Sequence, residues 1–362
     1  MNQDTATRDP DISLDTNLTQ LTELSPSLYL SDLSHKDKPW DRHRASSDII
    51  SELYASVGDE KTAQKIKFCA NFLAFQLTAG ADLKLSLARF CRVRYCAVCQ
   101  WRRSLMWKAR AYKGLSEFMQ KYPKRRWIFA TFTVKNCQMI DLRNTANSMN
   151  KAFARMSQLA RFPGKGWIKS LEVTAVYDCY RSSGEYVGRH GSKWIEEYEK
   201  EHKVKLVRQI TDEVHPHFHV LMNVLPSYFS GANRHYLSHD KWIEMWQASA
   251  RLNYPPSVNV KAIPSYAKNL EKMLPEILKY QTKVGDLCFD ANWLYELSKQ
   301  MKGFRSIAIG GDLKDYLRKC EDNDDLIHAD DEPLDDQAAE QKLVEHLLTF
   351  GWKADLQKYR RI

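Results

Sequence analysis

Alternation of apolar and polar residues is the clearest pattern along this chain, and it predicts four strands. RWIFATFTVKN (126–136) and WIKSLEVTAVYD (167–178) combine β-branched and aromatic residues with a two-residue period. EVHPHFHVLMNVL, from residue 213, repeats this pattern with three alternating histidines, and SVNVKAI (257–263) is a weaker fourth strand. Because alternate side chains project from one side of a strand, the histidines are expected to share a face.

Helical spacing of apolar residues predicts helices at 40–54, 100–119, 143–162, 238–251 and 265–284. The charged, glycine-containing segment 181–203 is expected to be a surface excursion. We therefore divide the chain into four regions: a disordered acidic N-terminal tail at 1–35, a helical region with a cysteine cluster at 36–115, a strand-rich domain at 116–320, and an acidic linker with a C-terminal helix at 321–362.

Charge is distributed unevenly along the chain. The net charge is +9, but residues 321–340 hold ten acidic residues without Lys or Arg, and the first 34 residues carry −5. The remainder therefore carries about +24, which favours a polyanionic partner such as nucleic acid. No apolar run approaches the roughly 20 residues of a membrane helix, and no signal peptide pattern is present. Eight cysteines in 362 residues are too few for a disulfide scaffold. We expect a cytoplasmic protein without a membrane partner.

A cysteine cluster precedes the first strand. Cys91, Cys96 and Cys99 have C-x4-C-x2-C spacing, and Cys69 is the nearest candidate for a fourth ligand. Four thiolates can surround one tetrahedral Zn²⁺ without leaving an open position, so we predict a structural zinc site. The neighbouring Arg102 and Arg103 are candidates for contacts with DNA phosphates.

The histidine strand presents a second candidate metal site. Pro216 restrains His215, so His217 and His219 are the more reliable pair, while Phe218 is expected to enter the core on the other face. Glu172 lies inside an otherwise apolar and β-branched run, where a carboxylate is unfavourable unless it meets a cation. Together these side chains predict a site for Mg²⁺ or Mn²⁺. Histidines at alternate positions also resemble the histidine-triad nucleotide hydrolases, which are much smaller proteins.

A third group follows in EILKYQTK, residues 276–283. On a helix, Glu276, Tyr280 and Lys283 share one face, because they are spaced by four and three residues.

These motifs, in this order, resemble the rolling-circle replication initiators of small bacterial plasmids, which belong to the HUH endonuclease superfamily. The resemblance rests on CRVRYCAVCQWRRS, FATFTV, HPHFHVLM and the Glu-x-x-x-Tyr-x-x-Lys motif, and it runs from about Trp40 to Lys319. It implies an α+β fold with a central antiparallel sheet flanked by helices, the two histidines on a middle strand, and an N-terminal zinc module.

The resemblance also implies roles for individual residues. Tyr280 would nick one strand of the plasmid origin and remain joined to the 5′ phosphate, leaving a 3′ hydroxyl primer. Glu276 would activate water for termination, and Lys283 would help to place the phosphate or the tyrosine. His217, His219 and Glu172 would hold the divalent ion. Thr131 and Thr133 of FATFTV would lie near the DNA, and a host helicase and DNA polymerase are implied as partners.

Two other functions remain open from the sequence. Single-tyrosine transposases and plasmid relaxases use a related mechanism. A non-enzymatic zinc-containing DNA-binding regulator would explain the cysteines and the charge, but it would leave Glu172, the histidines and Tyr280 without a role.

Overall fold

The computed structural model describes residues 29–77, 82–229, 236–264, 274, 278, 282–318, 326–327 and 347–362. These residues form two compact units, each discontinuous in sequence. The described part of the first unit comprises 29–45, 70–77, 82–89 and 347–362; the second contains the other described residues. This division differs from the four consecutive regions expected from the sequence.

The strands of the described residues are β1 Phe72–Leu77, β2 Leu83–Ala88, β3 Arg126–Thr133, β4 Cys137–Gln138, β5 Gly166–Tyr180, β6 Tyr186–Gly191, β7 Val207–Val224, β8 Val258–Ile263, β9 Ile307–Gly311, β10 Leu347–Lys353 and β11 Lys358–Arg361.

The α-helices are α1 Leu30–Leu33, α2 Pro39–Ser56, α3 Glu60–Lys67, α4 Ala97–Lys121, α5 Leu142–Ser157, α6 Ser192–His202, α7 His239–Ala250, α8 Val284–Leu287, α9 Ala291–Gln300 and α10 Lys314–Arg318. No helix in the described part of the chain combines the length and apolarity that a bilayer crossing requires.

The first unit contains an antiparallel sheet of four strands in the order β11-β10-β1-β2. Its buried side is aromatic. Trp40 and Tyr359 meet edge to face at 6.2 Å, as do Phe75 and Phe350 at 5.9 Å. The Tyr359 hydroxyl donates a hydrogen bond to the Ala70 carbonyl at 2.6 Å, which satisfies its polar end inside the core.

The expected C-terminal helix is wrong for residues 347–362, which form β10 and β11 instead. β10 pairs with β1 along five residues, and Gly351 disfavours a helix at its centre. Phe350 and Trp352, two residues apart, lie on one side of the strand. The gain from pairing with β1 outweighs the weak helical pattern of the isolated segment. Residues 29–35, assigned to the disordered tail, include α1 and a bridge between Tyr29 and Arg360.

The second unit is built on a larger antiparallel sheet in the order β6-β5-β7-β3-β8, with β4 added to β7 and β9 to β5. The 18-residue strand β7 lies in the middle, between β5 and β3. The sheet has helices on both sides, so the α+β fold with a central antiparallel sheet flanked by helices is confirmed.

Helices α5 and α7 cover one side of this sheet. Phe218 of β7 and Phe132 of β3 both contact Phe153 of α5 and Trp246 of α7, with ring centroids 5.2–6.4 Å apart. The prediction that Phe218 enters the core opposite the histidines is therefore confirmed. Lys169 of β5 is buried on the same side, with its ammonium group 4.1 Å from the centre of the Phe218 ring.

The opposite side carries the histidines at one end and an apolar cluster at the other. Phe129, Ile168 and Leu221, from three neighbouring strands, form this cluster with residues from α4 and α10. Leu274 and Leu278 are buried in the same cluster and are helical. The sequence predicts a helix at 265–284. Apart from Leu274 and Leu278, its residues from 265 to 281 lie outside the described part of the chain.

The segment 181–203, expected to be a surface excursion, contains β6 and all of α6. β6 pairs with the end of β5 from Tyr186 to Gly191, and α6 buries Ile195 completely. Gly184 lies in the turn between β5 and β6 with a positive φ of 88°, a backbone conformation that glycine adopts readily.

Candidate metal centre and cysteine cluster

Two neighbouring strands, β5 and β7, carry the candidate metal ligands on one face of the sheet. Glu172 of β5 stands directly opposite His217 of β7, and His219 pairs with Thr131 of β3 on the other side. Because alternate residues share a face, these side chains project toward the same volume. The long connection between β5 and β7 does not disturb this register, since it forms a hairpin beyond the end of the site.

The distances fit a metal centre. Glu172 Oε2 lies 2.9 Å from His219 Nε2 and 3.6 Å from His217 Nε2. One ligand atom from each of the three residues falls within 4.8 Å of the other two. Glu172 is buried and the histidines are half-buried, so a cation here would be partly shielded from water. Two imidazoles and a carboxylate form a common donor set for divalent ions.

Hydrogen bonds orient both imidazoles for ligation. His217 Nδ1 lies 3.2 Å from the His215 carbonyl, which only accepts, so Nδ1 carries the proton and Nε2 keeps its lone pair. His219 Nδ1 lies 3.2 Å from the Thr131 hydroxyl, which leaves its Nε2 facing Glu172. The Phe129 ring stacks on His219 with 5.5 Å between centroids. Such contacts around a metal ligand fix its tautomer and direction.

His215 does not belong to the ligand group, in agreement with the sequence-based preference for the other two. Its Nδ1 bonds to Asn136 Oδ1 at 2.9 Å. Burial lowers the pKa of His215 to about 4, with a smaller contribution from repulsion by His217, so the ring is neutral at physiological pH.

The predicted catalytic group is described only at Lys283, since Tyr280 and Glu276 lie outside the described residues. Lys283 Nζ is paired with Glu196 Oε1 of α6 at 3.1 Å. The buried Leu278, two residues before Tyr280 in sequence, belongs to the cluster that contains Phe129, the residue stacked on His219.

The cysteine cluster has the geometry of a tetrahedral site. Cys69, Cys91, Cys96 and Cys99 place their sulfur atoms within 4.8 Å of one another. The Sγ–Sγ distance is 3.5 Å from Cys69 to Cys99 and 3.6 Å from Cys91 to Cys99. Four sulfurs about 2.3 Å from one Zn²⁺ would be about 3.8 Å apart, close to these values.

The surroundings of the cluster also suit thiolates. The backbone N–H of Cys91 donates to Cys69 Sγ at 3.4 Å, and that of Arg92 donates to Cys99 Sγ at 3.3 Å. Contacts with the Cys91, Cys96 and Cys99 thiols, together with burial, raise the pKa of Cys69 well above its ordinary value, so a cation would be needed to keep all four sulfurs as thiolates. Cys69 lies with the other three cysteines, and its binding of zinc stays a prediction.

One predicted DNA contact is wrong in this structure. Arg102 is fully buried, and its guanidinium donates to the carbonyls of Leu326 at 2.8 Å and Ile327 at 2.5 Å. Its side chain therefore fastens a distant segment to α4 rather than facing phosphate. Helical spacing alone did not reveal which arginine faces inward. Arg103 is half-buried, and its contact with DNA stays a prediction.

The two threonines of FATFTV differ in their contacts. Thr131 bonds to His219, a role that sequence reasoning missed although the alternation of β3 places it on the histidine face. Thr133 donates to the Ser257 carbonyl at 2.8 Å and so joins β3 to the start of β8. Proximity of either residue to DNA stays a prediction.

An antiparallel sheet with a histidine pair and a glutamate on one face, together with a separate four-cysteine cluster, defines an α+β protein with two candidate metal sites. A family model described as replication protein matches residues 82–360. The chain is 27% identical over 342 residues to "Protein rep" of Streptococcus pneumoniae serotype 2 (strain D39 / NCTC 7466), covering 90% of this chain and 92% of that protein.

Similar proteins occur in other bacteria. "Protein rep" of Lactiplantibacillus plantarum is 27% identical over 340 residues, with 90% of this chain and 95% of the relative covered. "Protein rep" of Staphylococcus aureus is 26% identical over 245 residues, covering 67% and 88%. No solved structure matches the chain. The chain therefore belongs to the replication protein family and is a plasmid replication initiator of the rolling-circle type.

Proposed function

We propose that this initiator is a metal-dependent HUH endonuclease and strand-transferase that nicks one strand of its plasmid origin. The observation that carries the proposal is the convergence of Glu172, His217 and His219 within 4.8 Å on one sheet face, with both imidazoles oriented for ligation. A zinc-containing regulator would have no use for this second site.

In the proposed reaction, the Tyr280 oxygen attacks a backbone phosphorus atom. The new phosphotyrosine bond replaces the bond from phosphorus to the 3′ oxygen, which leaves as a hydroxyl and primes synthesis. Glu172, His217 and His219 would hold Mg²⁺ or Mn²⁺, which polarises a non-bridging phosphate oxygen and stabilises the charge that develops there. Because the phenol is a weak nucleophile at neutral pH, cleavage should depend on this ion.

Lys283 and Glu276 complete the proposed catalytic group. Lys283 is paired with Glu196 by an ion pair whose side chains are 33% and 65% exposed. Exposed pairs are weak, so DNA phosphate can displace Glu196. Glu276 would deprotonate water for the terminating cleavage, when Tyr280 is already joined to DNA.

We propose that the ion of the cysteine cluster is Zn²⁺ with a structural role. Four cysteine ligands close the tetrahedron and leave no position for a substrate. The proposed partners are plasmid origin DNA, first double-stranded and then single-stranded, together with host helicase and DNA polymerase.

The nucleophile is tested with Tyr280→Phe, a supercoiled plasmid that carries the origin, and Mn²⁺. We expect wild type to produce nicked circles and a covalent protein–DNA adduct, and the variant to lose both while it still binds the origin. Tyr236→Phe, an exposed tyrosine of the second unit, is the matched control and should nick normally. An undiminished adduct with Tyr280→Phe would contradict the assignment and direct attention to Tyr266. Intact plasmid with wild type would favour the regulator.

The metal is tested with His219→Ala against His202→Ala, an exposed histidine of α6. We expect only His219→Ala to lose Mn²⁺ binding and metal-dependent nicking, since it removes one of three ligands. Persistent nicking by wild type in EDTA would refute the metal requirement.

A further inference from the structure

Asp286 is a buried carboxylate that the proposed reaction does not use. It lies in α8, three residues after Lys283, and is 2% exposed. Three donors converge on it. The Tyr177 hydroxyl donates to Oδ1 at 2.9 Å, the Ser192 hydroxyl donates to the same oxygen, and the Ala175 N–H donates to Oδ2 at 3.3 Å.

These hydrogen bonds offset part of the free-energy cost of burying the Asp286 carboxylate. Burial raises the pKa of Asp286 above its ordinary value, and the bonds from Ser192, Tyr177 and Ala175 oppose that rise. Tyr177 is itself buried, and the same environment raises the pKa of its hydroxyl, so that hydroxyl remains a donor. A buried polar group without partners is unfavourable, so the carboxylate and its donors depend on one another.

The network joins the start of α8 to two elements of the site. Ala175 and Tyr177 lie on β5, and Ala175 is three residues from Glu172, about 10 Å along the strand. Ser192 is the first residue of α6, the helix whose Glu196 pairs with Lys283. Buried hydrogen bonds to Asp286 therefore join the segment from Lys283 to Asp286 to both the sheet and α6, and the more exposed Lys283–Glu196 pair adds a second link to α6.

We propose that Asp286 is a positioning residue that fixes Lys283, the last residue of the proposed catalytic motif, relative to the strand that carries Glu172. This inference rests on the proposed function. Attack on phosphorus requires accurate placement of the nucleophile and the phosphate, and a displacement of about 1 Å is enough to reduce a rate about 100-fold. The anchored end of the motif supplies that placement without contacting the substrate.

Two substitutions weaken the network at different points. Asp286→Asn keeps the size but replaces one acceptor oxygen with an amide donor, which then faces a hydroxyl or N–H donor. Tyr177→Phe removes one donor and leaves the carboxylate in place. Asp178→Asn is the matched control, because Asp178 is adjacent on β5 but lies at the surface, where it pairs with Arg189.

The experiment uses the full chain, Mn²⁺ and a single-stranded oligonucleotide that spans the cleavage site mapped with wild type. The rate of adduct formation at saturating DNA should fall about 10- to 100-fold in Asp286→Asn and less in Tyr177→Phe. The dissociation constants for the oligonucleotide and for Mn²⁺ should stay within about twofold of wild type, because neither ligand contacts the network. Asp178→Asn should react at the wild-type rate.

A rate within about twofold of wild type in both network variants would overturn the positioning role, as would a parallel loss of DNA and Mn²⁺ affinity. If Asp286→Asn fails to fold, Tyr177→Phe decides by the same criteria. Different outcomes contradict the proposed function and the positioning role of Asp286. No adduct with wild type, or an adduct with Tyr280→Phe, contradicts the function, whereas normal wild-type chemistry with unaffected network variants contradicts only the positioning of Lys283 by Asp286.

Discussion

Replacing Lys169 with methionine tests whether the helix-covered side of the large sheet contains a neutral amine. The Lys169 ammonium group lies 4.1 Å from the centre of the Phe218 ring and 4.8 Å from that of Phe153, and it donates to Asn150 Oδ1 at 2.5 Å. Burial lowers the pKa of Lys169 from 10.5 to about 7. The aromatic rings favour the charged form, but by less than the loss of water disfavours it.

The free energy of unfolding depends on pH because Lys169 has a lower pKa in the folded chain than in the unfolded chain. Between pH 7 and 10.5 the unfolded chain keeps a proton that the folded chain has lost, so the free energy of unfolding rises with pH in this window. A group with these two pKa values contributes a rise of about 2 kcal/mol from pH 7 to pH 9. Methionine fills similar space without a proton to lose, so Lys169→Met should lack this rise and be more stable than wild type at pH 7.

The assay is urea unfolding of the full chain at pH 7, 8 and 9. The difference in unfolding free energy between Lys169→Met and wild type removes the contributions of other titrating groups. It should shrink by about 2 kcal/mol across the range. Lys165→Met, which replaces an exposed lysine immediately before β5, should show a constant difference. A constant difference for Lys169→Met would show that its amine stays protonated in the folded protein and would refute the reasoning.

Three further predictions concern the two candidate sites. Cys96→Ser should yield poorly soluble protein without zinc, whereas Cys137→Ser, outside the cluster, should keep it; metal analysis that finds no zinc in wild type would contradict this. Thr131→Val should weaken Mn²⁺ binding about 10-fold, measured by calorimetry, because His219 loses its orienting bond; unchanged affinity would make that bond unimportant. Glu276→Ala should nick at nearly the wild-type rate but fail to release single-stranded circles in a two-origin assay; loss of the first nick would place this glutamate in initiation.

The centre of the site was predictable because it depends on short-range patterns. The two-residue alternation indicated which side chains of β5 and of β7 project from the same face of each strand. A carboxylate in an otherwise apolar strand is unfavourable unless it meets a cation, which pointed to a metal on that face. Glu172, His217 and His219 followed from these two facts. The C-x4-C-x2-C spacing similarly identified three members of the cysteine cluster, and proximity in sequence supplied Cys69.

Other features depend on contacts between distant residues that no local pattern encodes. Arg102 is as polar as Arg103, and only the position of Leu326, 224 residues later, shows that it faces inward. The partners of Asp286 come from β5 and α6, so its burial was equally hidden. The final strands were mistaken for a helix because their pairing partner lies far away in sequence.

The small sheet has a consequence for how the protein is made on the ribosome. Strands β1 and β2 are synthesised first, but the strands that complete their sheet follow about 260 residues later, after most of the second unit. At the usual 5–20 residues per second, this delay is roughly 10 to 50 s. During that time β1 has an unpaired edge, which invites pairing with other nascent chains. Translation speed and chaperone capacity should therefore limit how much active initiator a cell produces.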